Sequence, residues 1–146
     1  MNRRTLLTTG LLLAAMSPAT LAYSKPKLLV DAPALLGKTE PVVLKVLGKP
    51  SGKDDHELNF QRGKDSIDVH FDEKGKVYYI HISFKPERAT PQEALAAGNV
   101  RVTGKPTDGR WITGILSKTV KDVWYGGEPG KIFSLHVCNK IMSDAG

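Results

Sequence analysis

From Leu58 onward, apolar and polar residues alternate. Leu58 and Phe60 alternate with Glu57, Asn59 and Gln61, and Ile67, Val69 and Phe71 alternate with Ser66, Asp68, His70 and Asp72. After the turn-forming run Asp72-Glu73-Lys74-Gly75-Lys76, Tyr78, Ile80, Ile82 and Phe84 alternate with Val77, Tyr79, His81 and Ser83. Successive strand residues point to opposite faces, so this pattern predicts a three-stranded antiparallel meander with one apolar and one wet face. Closing the second hairpin at Glu73–Lys76 sets Phe71 opposite Tyr78, Val69 opposite Ile80 and Ile67 opposite Ile82. A slip of one residue would turn every apolar side chain to the wrong side. Two further segments, Val120–Tyr125 and Lys131–Val137, flank Gly126-Gly127-Glu128-Pro129-Gly130 and read as a C-terminal hairpin. On its second strand Phe133, Leu135 and Val137 share one face, and Ser134, His136 and Cys138 the other.

Ahead of the meander the period is helical. Asp31, Pro33 and Gly37 bracket one or two helical turns, with an Asp cap, an early proline and a closing glycine. Thr39 opens a second helix, and Val43, Val46 and Leu47 at i, i+3, i+4 form its buried stripe. Gly48 and Pro50 end it. Residues 23–29 are a polar lead-in and Ser51–His56 a charged loop. Pro86 ends the third strand. Thr90-Pro91-Gln92-Glu93 is a capping box ahead of Ala94–Ala97, closed by Gly98. Val100–Thr103 is a short strand, Gly104–Arg110 a loop, and Trp111–Leu116 a strand or buried turn. The fold class is α+β: a short helix–loop–helix packed on an antiparallel β-sheet, meander plus C-terminal hairpin.

The first residues follow a different rule. Arg3 and Arg4 precede a short apolar stretch from Leu6 to Met16, Ser17-Pro18 breaks it, and Thr20-Leu21-Ala22 supplies small residues for cleavage. Met1–Ala22 is a secretory signal peptide, too short in its apolar part to span a bilayer. Asn2-Arg3-Arg4-Thr5-Leu6-Leu7 also fits a twin-arginine signal. The expectation is a periplasmic or secreted protein with no transmembrane anchor after cleavage, a single domain over 23–142 and a frayed tail at 143–146.

Length and charge narrow the classes. A chain of 146 residues holds one domain. Of the formal charge of +6, two positive charges leave with the leader. The remaining lysines and arginines are spread out, which argues against a nucleic-acid partner. Cys138 is the only cysteine. In an oxidising compartment it is either buried as a small hydrophobe or pairs between chains.

No phosphate loop, nucleophile elbow, zincin motif or C-x-x-C is present. His70, His81 and Asp68 share the wet face of the meander, with Asp68 opposite His81 and His70 opposite Tyr79. Two imidazoles and a carboxylate there permit an alternative reading as a metal-binding or hydrolytic domain. His56 stands beside Asp54 and Asp55 in a solvated cluster. His136 and Cys138 are neighbours on one strand face, but a nucleophilic dyad also needs an oxyanion hole and a cleft. The aromatic residues favour a contact surface. Tyr79, His81, His70, Asp68, Trp124 and Tyr125 are the candidate binding residues, flanked by the loops Ser51–His56 and Gly126–Gly130. No cofactor is implied. The partner is expected to be a protein or peptide of the cell envelope.

The stretch Leu35-Leu36-Gly37-Lys38-Thr39 … Val43 … Val46-Leu47-Gly48-Lys49-Pro50 resembles the entry to the β-lactamase-inhibitor-protein-like fold. The small lipoprotein of the outer-membrane barrel-assembly machine shares that fold. The resemblance covers about 35–84. It implies a helix–loop–helix packed on an antiparallel sheet, and members that act by binding other proteins. The lipid-anchor cysteine of the assembly lipoprotein has no counterpart here, and the matching residues are structural.

Overall fold

A computed structural model describes residues 26–143. Residues 1–25, which hold the expected signal peptide Met1–Ala22, and residues 144–146 lie outside the described residues. Two short helices come first, α1 (Ala32–Leu35) and α2 (Glu40–Leu47). The Asp31 side chain accepts a hydrogen bond from the Ala34 amide at 3.2 Å and caps α1. Gly48, at φ +83°, ends α2 in a backbone region that a β-carbon disfavours.

Seven strands follow: β1 (Gly52–Asp54), β2 (Glu57–Arg62), β3 (Asp65–Phe71), β4 (Val77–Arg88), β5 (Arg110–Trp111), β6 (Asp122–Glu128) and β7 (Lys131–Cys138). Helix α3 (Pro91–Ala97) lies between β4 and β5 in the chain. All strands join one antiparallel sheet in the order β1-β2-β3-β4-β7-β6-β5. The meander and the C-terminal hairpin are therefore not separate. β4 pairs with β7 and fuses them.

One face of the sheet carries Leu58, Phe60, Ile67, Val69, Ile80, Ile82, Leu135 and Val137, each buried. The helices cover it with Leu35, Val43, Leu47, Ala94 and Leu95. α3 packs against β4 and β7. A β-carbon on Gly98 would come within 2.9 Å of Leu135 Cδ2, so the chain after α3 lies close against the sheet. Thr90 caps α3 by accepting from the Glu93 amide at 3.2 Å, and Glu93 accepts from the Ala89 amide at 2.9 Å.

The structure corrects several boundaries. Gly52–Asp54 is a strand paired to β2, not part of a loop. The expected pairs Val69–Ile80 and Ile67–Ile82 form, but a bulge at His70/Phe71 sets Phe71 opposite Val77 instead of Tyr78. Val77 is then fully buried and Tyr78 half-buried. β4 continues through Pro86 to Arg88, because the ladder to β7 is interrupted between Ser83 and Arg88 and asks no amide of the proline. A second irregularity at Gly126/Gly127 drives Ile132 into the core and leaves Phe133 54% exposed. The Val100–Thr103 strand reduces to a single bridge, Val102 to Ile115. Val46 lies outside the buried stripe of α2. Leu29, expected in a polar lead-in, joins the core beside Val30, and both donate their amides to the Ala97 carbonyl.

Candidate functional site

The other face of the sheet is organised as rows running across the strands. Successive cross-strand partners are Asn59, Asp68, His81, His136, Trp124 and Arg110, from β2, β3, β4, β7, β6 and β5. Beside this row runs a second: Glu57, His70, Tyr79, Cys138 and Asp122. With strands about 4.8 Å apart, five steps carry the first row across roughly 24 Å.

Directly opposed side chains stand within contact distance of each other, and here the rings stack. His81 and His136 have centroids 4.5 Å apart, and His136 and Trp124 4.7 Å apart with planes within 4°. The Arg110 guanidinium extends the stack, 5.5 Å from the Trp124 ring. Tyr79 lies 4.7 Å from His70 and 6.0 Å from both His136 and Trp124.

Hydrogen bonds fix this stack. The Asn59 amide nitrogen donates to Asp68 at 2.8 Å, and His81 Nδ1 donates to the other Asp68 oxygen at 3.2 Å. His136 Nδ1 meets the Tyr79 hydroxyl at 2.7 Å and His136 Nε2 the Ser134 hydroxyl at 2.9 Å. A neutral imidazole has one donor and one acceptor, and hydroxyls can serve either, so both tautomers of His136 are satisfied. Arg110 Nε donates to Asp122 Oδ1 at 2.8 Å, Arg110 Nη2 pairs with the other oxygen, and the Met142 amide donates to that oxygen at 2.9 Å. The segment after β7 thus folds over Asp122, which like Cys138 is fully buried, while the row from Asp68 to Trp124 stays partly exposed.

Burial sets the protonation states. It pushes His136 down to about 4, helped by His81, so His136 is neutral at pH 7. Burial also lowers His70, against an opposing pull from Glu57. The hydrogen bond from His81 holds the Asp68 carboxyl below its usual range, outweighing desolvation. Burial raises the Tyr79 hydroxyl and pushes the Cys138 thiol up to about 12, so neither ionises at neutral pH.

The structure brings five of the six candidate residues together: Asp68, His70, Tyr79, His81 and Trp124. Tyr125 is the correction. Its neighbour Trp124 takes the open face, so Tyr125 turns to the apolar side, pairs with Leu135, and packs 5.7 Å from Trp111. The proposed metal triad does not converge either. His81 is engaged by Asp68, whereas His70 turns to Glu57 at 3.4 Å and stacks on Tyr79. Among the described residues no group of three His, Cys, Asp or Glu side chains is placed to hold an ion. His136 uses both ring nitrogens on hydroxyls, and Cys138 is buried as a protonated thiol, so the pair is not a nucleophilic dyad. The flanking loops are shorter than expected, since β1 occupies Gly52–Asp54 and β6 runs on to Glu128.

Sequence reasoning missed His136 as the hub of the row, together with Asn59 and Arg110. The alternation on β7 already put His136 on the wet face. What it could not supply was the β4–β7 pairing that sets His136 beside His81. Comparison with protein-family models, with curated proteins and with solved structures finds no match to this chain.

Proposed function

We propose that this chain is an exported, non-enzymatic binding module of the cell envelope that recognises a protein or peptide through the polar-aromatic face of its sheet. One observation carries the reading: the stacked row Asp68–His81–His136–Trp124, held rigid by hydrogen bonds and still partly exposed. Pre-fixed aromatic and polar side chains lose little conformational entropy on binding. Tryptophan, tyrosine and arginine are also the residue types that dominate interface energetics. A row of roughly 24 Å suits a macromolecular surface better than a small molecule. The resemblance of 35–84 to a fold whose members bind proteins points the same way. The leader at Met1–Ala22 supports a periplasmic or secreted location.

Two experiments test this. Fusing residues 1–25 to a reporter active only in an oxidising compartment gives activity if the leader exports, and none if it does not. A partner recovered from the envelope fraction should bind the purified mature domain stoichiometrically. Trp124→Ala or Tyr79→Ala should weaken that complex by roughly tenfold or more, with the far-ultraviolet spectrum unchanged. Wild-type affinity in both variants would remove the surface from consideration.

A further inference from the structure

On the opposite, helical side of the sheet, a groove of about 690 Å³ runs beside α3 and the chain that follows it. This is within the usual size range for a small-molecule site, about 300–1,000 Å³. Its walls are apolar: Leu28, Leu95, Val100, Val102, Trp111 and Leu116. Two of these, Leu28 and Leu116, are 56% and 64% exposed and form the open rim of the groove. The charged residues lining it are Arg101 and Lys105, and no Asp or Glu lines it. Neither cation forms an ion pair among the described residues. The Trp111 indole N–H is itself buried and has no hydrogen-bond partner.

An apolar trough with two unneutralised cations selects one ligand chemistry. We infer that the groove binds a monomeric single-chain carboxylate amphiphile of the fatty-acid type. The hydrocarbon chain lies against Leu28, Leu95, Val102, Trp111 and Leu116, and the carboxylate meets Arg101 and Lys105. Burying the chain supplies the affinity. The cations discriminate against neutral analogues of the same length, because a carboxylate accepts charge-assisted hydrogen bonds that an alcohol does not. This site is independent of the polar-aromatic face and stands or falls separately from it.

The chain has two tryptophans, so Trp124→Phe leaves Trp111 as the sole indole and makes its emission a direct reporter of the groove. Dodecanoate, titrated below its micelle-forming concentration, should give a saturable one-to-one change in that emission. Adding Arg101→Gln and Lys105→Gln should weaken dodecanoate by roughly tenfold or more and leave dodecanol unchanged. Leu116→Asp should abolish the change for both ligands, with the far-ultraviolet spectrum intact, since Leu116 is exposed. Three results would overturn the inference: no saturable change, equal affinity for dodecanoate and dodecanol that the double substitution does not touch, or a response only to phosphatidylglycerol vesicles.

Discussion

The two faces of the one sheet are held by different physics. Toward the helices, Phe60, Ile67, Val69, Ile80, Ile82, Leu135 and Val137 are fully buried, and their contribution is non-directional burial, roughly proportional to area. Away from the helices, Asp68, His81, His136 and Trp124 are half-buried and each ring is placed by a named neighbour. The first face tolerates exchange among aliphatic residues of similar volume. The second is less tolerant at its hydrogen-bonded members, because removing one strands the polar partner it satisfied. A sheet needs only one buried face to fold, so an ordered but open second face is free to serve as a contact surface.

The largest expected effect breaks the apolar face. Phe60→Ala deletes a fully buried ring and should cost about 3–5 kcal/mol in urea unfolding. A loss below about 1 kcal/mol would mean that the burial side of the comparison is overstated.

The second prediction separates the faces by pH. Folded His136 titrates near 4, against an ordinary value of 6.5, so between these values the unfolded chain takes up a proton that the folded one refuses. Stability therefore falls as pH drops from about 6.5 to about 4, by an upper figure of about 3 kcal/mol. The lowered His70 adds to the same slope. Asp68 contributes a further loss below its ordinary 3.8, because stability from a lowered carboxyl is lost as it protonates in the fold. Urea titrations at several pH values measure the slope. His136→Phe should flatten it while costing about 1–2 kcal/mol at neutral pH through the stranded Tyr79 and Ser134 hydroxyls. An unchanged slope would contradict the assignment.

A smaller stability effect should accompany a large binding effect at Trp124. Trp124→Ala removes the ring between His136 and Arg110, a loss of about 1 kcal/mol measurable by thermal unfolding, while weakening partner binding by roughly tenfold or more. Tyr125→Phe, one residue on but facing the core, should leave partner affinity within roughly twofold. The smallest effect is expected at Val46, 59% exposed on α2, where Val46→Ser should shift stability by no more than about 0.5 kcal/mol.

The same contrast explains what could be read from the sequence. The period-two runs at Leu58–Phe60, Ile67–Phe71 and Ile80–Phe84 identify three strands and their inner face, and Thr90/Glu93 announces α3, because each signal is local. The polar row is local only in part. Asp68 opposite His81 follows from one hairpin, but His136 beside His81 and Arg110 beside Trp124 come from pairings between distant segments. The bulges at His70/Phe71 and Gly126/Gly127 reassign Val77, Tyr78, Ile132 and Phe133 between faces. No alternation rule anticipates an extra residue in a strand. Val46 departs from the expected stripe because α2 buries only Val43 and Leu47, a narrower band than the spacing implies.

The claim that the polar-aromatic face is the contact surface is most directly tested by position-specific photo-crosslinking in intact cells. A photoreactive residue at Gln61 or Ser66, on the face of the stacked row, should yield a discrete adduct with a partner, and one at Val46 on the helical side should not. Adducts from Val46, with none from Gln61 or Ser66, would contradict the account.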